Sequence, residues 1–225
     1  MTVWVCGEAL IDLIPVEPGS EQRNAVPGGG PANTAHALAR LGIPTEFIGG
    51  LSDDEFGRRM RAEFIADGVG LTFTPEHKLP TCLAIVSIAI DGGATYEFKI
   101  DGTATFAFEA ETLPDPNIFN PDAIYIGTLP SNRLEVALIA INAGKHVLIE
   151  KPITMDVSEA AQIYAAAKVH KVLAVEAMWT RFLPHMDIAR QLVADGAIGD
   201  VELVVSSFCQ ANLGVTRLYT LGGGN

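Results

Sequence analysis

The sequence predicts an α/β protein: a mostly parallel sheet with helices packed on its faces. Three observations carry that expectation. Short apolar runs of strand length, such as Val3-Trp4-Val5-Cys6 and Ala123-Ile124-Tyr125-Ile126, alternate with longer helical segments. The helical segments have legible starts and stops. Hydrophobic residues make up 48% of 225 residues, enough for a sizeable core, yet no apolar run approaches the roughly 20 residues of a membrane helix.

In order, Val3–Cys6 reads as a buried strand that runs into Gly7-Glu8-Ala9-Leu10-Ile11-Asp12, with Asp12 at its end. Pro27-Gly28-Gly29-Gly30-Pro31 reads as a turn, and Asn33–Leu41 as an alanine-rich helix stopped by Gly42. Phe47-Ile48-Gly49 is a short strand. Asp53 or Asp54 caps a helix in which Phe56, Met60 and Phe64 share one face, closed by Gly68. Residues 81–90 and 94–100 form a hairpin around Asp91-Gly92-Gly93. After a stretch containing Pro114, Pro116 and Pro121, Ala123–Gly127 is again a strand. Leu134–Ala143 is a helix ending at Gly144, and His146–Ile149 a strand. Asp156 and Glu159 open a helix to about Val169 in the manner of a capping box. Val172–Glu176 is a strand, Pro184–Ala194 a helix and Val201–Phe208 a strand.

Charge and cysteine content narrow the function classes. The net charge of −12 argues against nucleic acid, whose phosphates require a basic face. Residues 1–127 hold 7 basic and 18 acidic side chains, whereas residues 128–225 hold 8 and 9, an asymmetry consistent with two origins. Cys6, Cys82 and Cys209 are scattered and odd in number. That favours a reducing cytoplasmic setting over a disulfide framework. The N-terminus lacks the basic segment of a signal peptide, and no metal site is expected.

The N-terminal residues offer a polar constellation. Glycines at Gly28-Gly29-Gly30 let backbone approach a ligand closely. Asn33 supplies both a donor and an acceptor for a sugar hydroxyl, and a carboxylate such as Asp12 can accept two hydroxyls. The same residues also read as a tight turn, a helix cap and a surface acid. Four segments in order, Gly7–Asp12, Pro27–Ala35, Ala39–Gly42 and Gly49–Gly57, resemble the PfkB (ribokinase/fructokinase) family of carbohydrate kinases over about residues 1–127. The resemblance implies that Asp12, Gly29, Gly30 and Asn33 bind the sugar, that the hairpin at 81–100 belongs to a lid, and that ATP with Mg²⁺ is the phosphoryl donor. Such kinases place an anion hole and catalytic base in a Gly-Ala-Gly-Asp motif that opens a helix. No such motif occurs in the sequence. Gly196-Ala197-Ile198-Gly199-Asp200 has one residue too many, follows a helix, and reads as a turn.

In the C-terminal part, Glu150 and Lys151 stand at the carboxyl end of a predicted parallel strand, where such sheets bind ligands; as an exposed acid–base pair they are equally ordinary. Tyr125–Thr128, Ala143–Pro152, Glu176–Phe182 and Gly196–Asp200 resemble Gfo/Idh/MocA oxidoreductases, nearest the dihydrodiol dehydrogenase-like branch, over about residues 122–225. That resemblance implies a Rossmann-like unit with Thr128, Glu150, Lys151, Trp179 and Arg181 near an NAD(P) cofactor, and Lys151 as the proton-transfer residue. Arg133 departs from it, standing where the family commonly has His. The Gly-x-Gly-x-x-Gly turn that cradles a dinucleotide is missing.

The expectation is therefore a composite of two partial α/β units, 1–127 and 122–225, sharing the strand Asp122–Thr128 and building one sheet across it. Neither active site is complete. Weak sugar binding without complete catalysis leads; a remnant oxidoreductase and a non-functional fusion or engineered chimera are the rival readings.

Overall fold

The computed structural model describes residues 1–88, 94–107, 120–128 and 130–205. Its first sheet is wholly parallel and five-stranded. It contains β1 (Val3–Cys6), β4 (Thr45–Ile48), β9 (Ala123–Ile126), β10 (His146–Glu150) and β11 (Ala174–Ala177), in the order β11-β10-β9-β1-β4. β1 is the hinge of this arrangement. It pairs with β4 through Val3↔Thr45 and with β9 through Val3↔Ala123. β9 pairs in turn with β10 through His146↔Ala123. The sheet thus runs without a break across Asp122–Thr128, as the sequence led us to expect.

The strand order reverses direction between β1 and β9. From β1 the chain passes through α1 (Gly30–Arg40) to β4 on one side. From β9 it passes through α3 (Pro130–Asn142), β10 and α4 (Val157–His170) to β11 on the other. Right-handed crossovers in opposite directions put their helices on opposite faces. The cores follow that rule. Ala32 and Ala35 of α1, with Met60 and Phe64 of α2 (Glu55–Ala66), pack on Val3, Val5, Phe47 and Tyr125. Ala137 and Ile141 of α3 and Ile163 of α4 pack on Ile126, Val147 and Ile149. β9 alternates, giving Tyr125 to one core and Ile126 to the other.

A second sheet, in the order β3-β2-β7-β8, comprises β2 (Leu10–Pro15), β3 (Arg23–Gly28), β7 (Leu83–Ile88) and β8 (Ala94–Lys99). The predicted hairpin is therefore half of a four-stranded layer; its turn, Asp91-Gly92-Gly93, lies outside the described residues. Two expectations are corrected here. Asp12 does not end the first strand. It lies within β2, because the chain leaves the parallel sheet at Gly7 (φ 150°) and starts a new one. Pro27-Gly28 is not a turn but the end of β3, where Pro27 faces Ile11; β3 is an edge strand, which tolerates a residue without an N–H. A minor pair, β5 (Leu51–Ser52) and β6 (Glu76–His77), completes the strands among the described residues.

The predicted caps are present, with Asp54 rather than Asp53 opening α2. Its Oδ1 accepts from Gly57 N at 2.8 Å. The same carboxylate accepts from Thr81 N (2.8 Å) and Thr81 Oγ1 (2.7 Å), tying α2 to the chain entering β7. Asp156 accepts from Glu159 N at 3.0 Å, while Glu159 reaches back to Met155 N at 3.1 Å. α5 (Pro184–Ala194) spans the residues predicted for it. The described part of the predicted strand Val201–Phe208 differs from expectation: Val201–Val205 carries no strand and is exposed, with Leu203, Val204 and Val205 at 79–80%. β-propensity is realised only when a neighbouring strand or face accepts the side chains, and none among the described residues does so here. Ser206–Phe208 and Cys209 lie outside the described residues, as does the proline stretch to residue 119. Among the described residues, no helix is long and apolar enough to cross a membrane, and no group of three metal-ligating side chains occurs.

The Asp54 bridge sets a pH expectation. Burial alone would raise this carboxyl, but the hydrogen bonds from Gly57, Thr81 and Ser52 outweigh it and hold the group below its usual value. A depressed folded-state value means stability present above the unfolded carboxyl range and lost as pH falls through the folded value, below about pH 4. Asp54→Ala should cost about 1–2 kcal/mol at pH 7 and much less at pH 3, measured by urea unfolding at both values. An equal loss at both would show that the charge plays no part.

Candidate functional site

Parallel sheets bind ligands beyond their carboxyl edge, at the point where strand order reverses. Here that point lies between β1 and β9. The register sets Cys6 beside Ile126 and Ile126 beside Ile149. Glu8, Thr128 and Lys151 therefore leave the sheet along one edge, and β11 delivers Met178 to the same edge through Glu150↔Ala177.

Pro31, in the first turn of α1, is wedged into this reversal. A Cβ on Gly7 would lie 2.4 Å from Pro31 Cγ, and one on Gly127 would lie 3.0 Å from the same atom. Both strands end in glycine because the proline ring occupies the space a side chain would need. Gly29 precedes the helix at φ 106° with a would-be Cβ 2.7 Å from the Glu8 carbonyl oxygen, so a larger residue there is excluded on both counts. Gly28 makes room of another kind. Its Cβ would sit 2.2 Å from Asp12 Oδ2, which shows that the Asp12 carboxylate leans over the Gly28 backbone. Partial burial raises the Asp12 carboxyl above its ordinary value.

The four proposed sugar residues are thus brought into one neighbourhood: Asp12 on the second sheet, Gly29 and Gly30 at the head of α1, and Asn33 one turn in. Asn33 is not the helix cap. The helix begins at Gly30, Asn33 N closes its first hydrogen bond to Gly29 O at 2.9 Å, and the Asn33 side chain is exposed.

The other predicted residues divide. Glu150 is half-buried; its Oε2 accepts from Lys151 N at 2.8 Å and its Oε1 from the Tyr125 hydroxyl at 3.3 Å. Thr128 is exposed and presents its carbonyl to Arg133 Nε at 2.8 Å. Trp179 and Arg181 lie in a short 3₁₀ turn, Trp179–Phe182, with Trp179 63% exposed. Arg181 lines a groove of about 590 Å³ together with Tyr164, Val175, Glu176 and Arg190. The carboxyl edge is shared by all of these, but Arg181 turns to the outer groove beside β11 rather than to the reversal point.

Tyr125 and Glu8 are residues that sequence reasoning did not single out. Tyr125 is 2% exposed. Its phenol is pushed well above the ordinary tyrosine value, first by burial and then by the charge of Glu150. A Cβ on Gly30 would meet nothing nearer than the Tyr125 hydroxyl at 3.8 Å and Glu8 Oε1 at 4.0 Å. The only sequence signal for Tyr125 is a polar-tipped aromatic in an otherwise apolar strand.

Comparison with known proteins gives two sets of relatives. The Escherichia coli fructokinase is 36% identical over 115 residues, covering 50% of this chain and 36% of that protein. The Danio rerio trans-1,2-dihydrobenzene-1,2-diol dehydrogenase is 43% identical over 117 residues, covering 51% of this chain and 34% of that protein. The chain thus spans about a third of the length of these curated relatives. Among solved structures, a fructokinase from Xylella fastidiosa with bound ATP superposes with a TM-score of 0.55 at 20% identity, over 79% of this chain and 72% of the other. A ribokinase-like protein from E. coli reaches 0.60 at 20% identity, over 85% and 69%. At these identities the superpositions speak for the fold, which is the mostly parallel, helix-flanked α/β sheet expected from the sequence. The profile of the pfkB family carbohydrate kinases matches residues 2–188, from before β1 into α5, and the chain belongs to that family.

Proposed function

We propose that this chain binds a ketose or related sugar in the crevice between the second sheet and the head of α1, and that it does so without complete phosphotransfer chemistry. The observation that carries the reading is the Asp12 carboxylate seated over Gly28, beside the Gly29-Gly30 backbone and the exposed Asn33. A carboxylate, an open backbone and an amide together offer acceptors and donors for several hydroxyls. The kinship with fructokinases supports a sugar as the ligand and ATP as the donor the fold is built to use. Asn33→Ala should weaken fructose or ribose binding about fivefold or more, the value of one lost hydrogen bond of roughly 1 kcal/mol. Isothermal titration reads this directly. A folded wild type that gives no heat at millimolar sugar would sink the proposal.

The second reading, a nicotinamide site on Glu150 and Lys151, is favoured by their place at the carboxyl edge and by the dehydrogenase relatives. It accords with a composite of a kinase-like unit, 1–127, and an oxidoreductase-like unit, 122–225. The residues present do not fit the cofactor. The first turn of α1 would have to hold the diphosphate, yet Pro31 removes one of its donors, and Glu8 and Glu150 set negative charge beside it. Lys151 and the exposed Trp179 and Arg181 do not compensate. NADH should show no saturable binding below the millimolar range by fluorescence titration; micromolar binding lost in Lys151→Ala would overturn this.

A further inference from the structure

The space above Gly30 differs from its surroundings. Gly28 and Gly29 are filled at their would-be Cβ positions, by Asp12 Oδ2 at 2.2 Å and by Glu8 O at 2.7 Å, whereas Gly30 is open: among the described residues the Tyr125 hydroxyl at 3.8 Å and Glu8 Oε1 at 4.0 Å lie nearest. Tyr125 comes from β9 and Glu150, hydrogen-bonded to it, from β10. Both arise far along the chain from Asp12 and Asn33, and neither belongs to the constellation read from the N-terminal residues.

We propose that Tyr125 and Glu150 form the sheet-side wall of the sugar site and select among sugars through a hydroxyl held between the Tyr125 phenol, Glu150 and Glu8. This rests on the sugar-binding reading and extends it. The chemistry of the wall is one phenolic group, able both to donate and to accept, flanked by two carboxylates that only accept. Such a set suits a neutral polyol, whose hydroxyls are donors and acceptors at once. It disfavours a phosphate or carboxylate ligand, which would meet two like charges. A metal ion is not favoured either, since among the described residues no third acidic or imidazole group joins the pair. The position supports the assignment. Tyr125 is held rigid in the core among Val5, Ala32 and Ala35, so its hydroxyl is presented at a fixed point. The Tyr125–Glu150 bond of 3.3 Å is long enough to yield to a better partner. The raised phenol also remains a donor across the whole working pH range.

The test uses the full chain and D-fructose. Tyr125→Phe keeps the ring that packs the core and removes only the hydroxyl; Glu150→Gln keeps the shape and removes the charge. Both should retain the wild-type melting temperature within a few degrees and weaken fructose binding roughly fivefold or more by isothermal titration. Asn33→Ala serves as the comparator. If Asn33→Ala weakens binding while Tyr125→Phe and Glu150→Gln bind fructose as the wild type does, the wall is wrong and the sugar reading stands. If the wild type itself takes up no fructose at millimolar concentration, both fall together.

Discussion

Given ATP, Mg²⁺ and fructose, these 225 residues should phosphorylate the sugar at least a hundredfold more slowly than the roughly 1 s⁻¹ at the low end for kinases. The reasoning is electrostatic. Phosphoryl transfer needs preorganised donors where charge develops, and loss of one such donor set costs about a hundredfold or more. The segment closest to an anion hole is Gly196-Ala197-Ile198-Gly199-Asp200, and three of its N–H groups are already used. Gly196 N donates to Val193 O at 3.1 Å and Ala197 N to Leu192 O at 3.0 Å, capping the end of α5, while Gly199 N donates to Gly196 O at 3.0 Å. With φ of 67°, Gly196 closes a helix instead of opening one, and Gly199, at φ 70°, belongs to the turn that follows it. A coupled assay is the check. Turnover near 1 s⁻¹ would mean that another part of the chain gathers the donors.

Arg133→Ala should destabilise the protein by about 2–4 kcal/mol, a large share of what a domain of this kind possesses. Arg133 is 4% exposed in the first turns of α3. Its guanidinium donates through Nε to Thr128 O at 2.8 Å and through Nη1 to Pro152 O. One side chain thereby joins the loop after β9 to the loop after β10, the two loops that carry Thr128 and Lys151. Removing it strips both carbonyls of a donor and leaves a void. Lysine should not rescue it, because a single ammonium lacks the planar fork that reaches both oxygens. Urea unfolding of Arg133→Ala and Arg133→Lys measures the difference. A loss under 1 kcal/mol in the alanine variant would show that water replaces the guanidinium freely.

The helices were legible because their ends are local events. Asp54, Asp156, Gly42 and Gly144 act within a turn of where they stand, so the sequence shows them directly. The parallel strands were legible as apolar runs bounded by glycine. What escaped was anything decided by a neighbour distant in sequence. Leu10–Pro15 follows β1 after only three residues and reads as its continuation; that it belongs to another sheet depends on pairing with Leu83–Ile85. Val201–Val205 has strand composition but, among the described residues, no strand beside it. The candidate site divides along the same line. Asp12, Gly29, Gly30 and Asn33 all lie within the first 33 residues, and the sequence motifs alone propose them. Tyr125 reaches Gly30 only because β9 lies beside β1, a pairing no local pattern announces. Arg133 stood out as a departure from an oxidoreductase pattern, and its role as a fastener between two loops became visible only with the carbonyls in place.

The position of β1 between β4 and β9 has a consequence for synthesis. Val3 meets Thr45 early, but its other neighbour, Ala123, emerges from the ribosome only after a further stretch of chain; the hydrogen bond from Thr2 N to Asp122 Oδ2 closes a separation of 120 residues. Until then one edge of an apolar parallel strand has no partner. Contacts of such sequence range form slowly, and unpaired edges on a nascent chain invite pairing with other chains. Yield in the cell should therefore depend on translation speed through the region between β8 and β9 and on chaperone supply, more than on the stability of the finished fold.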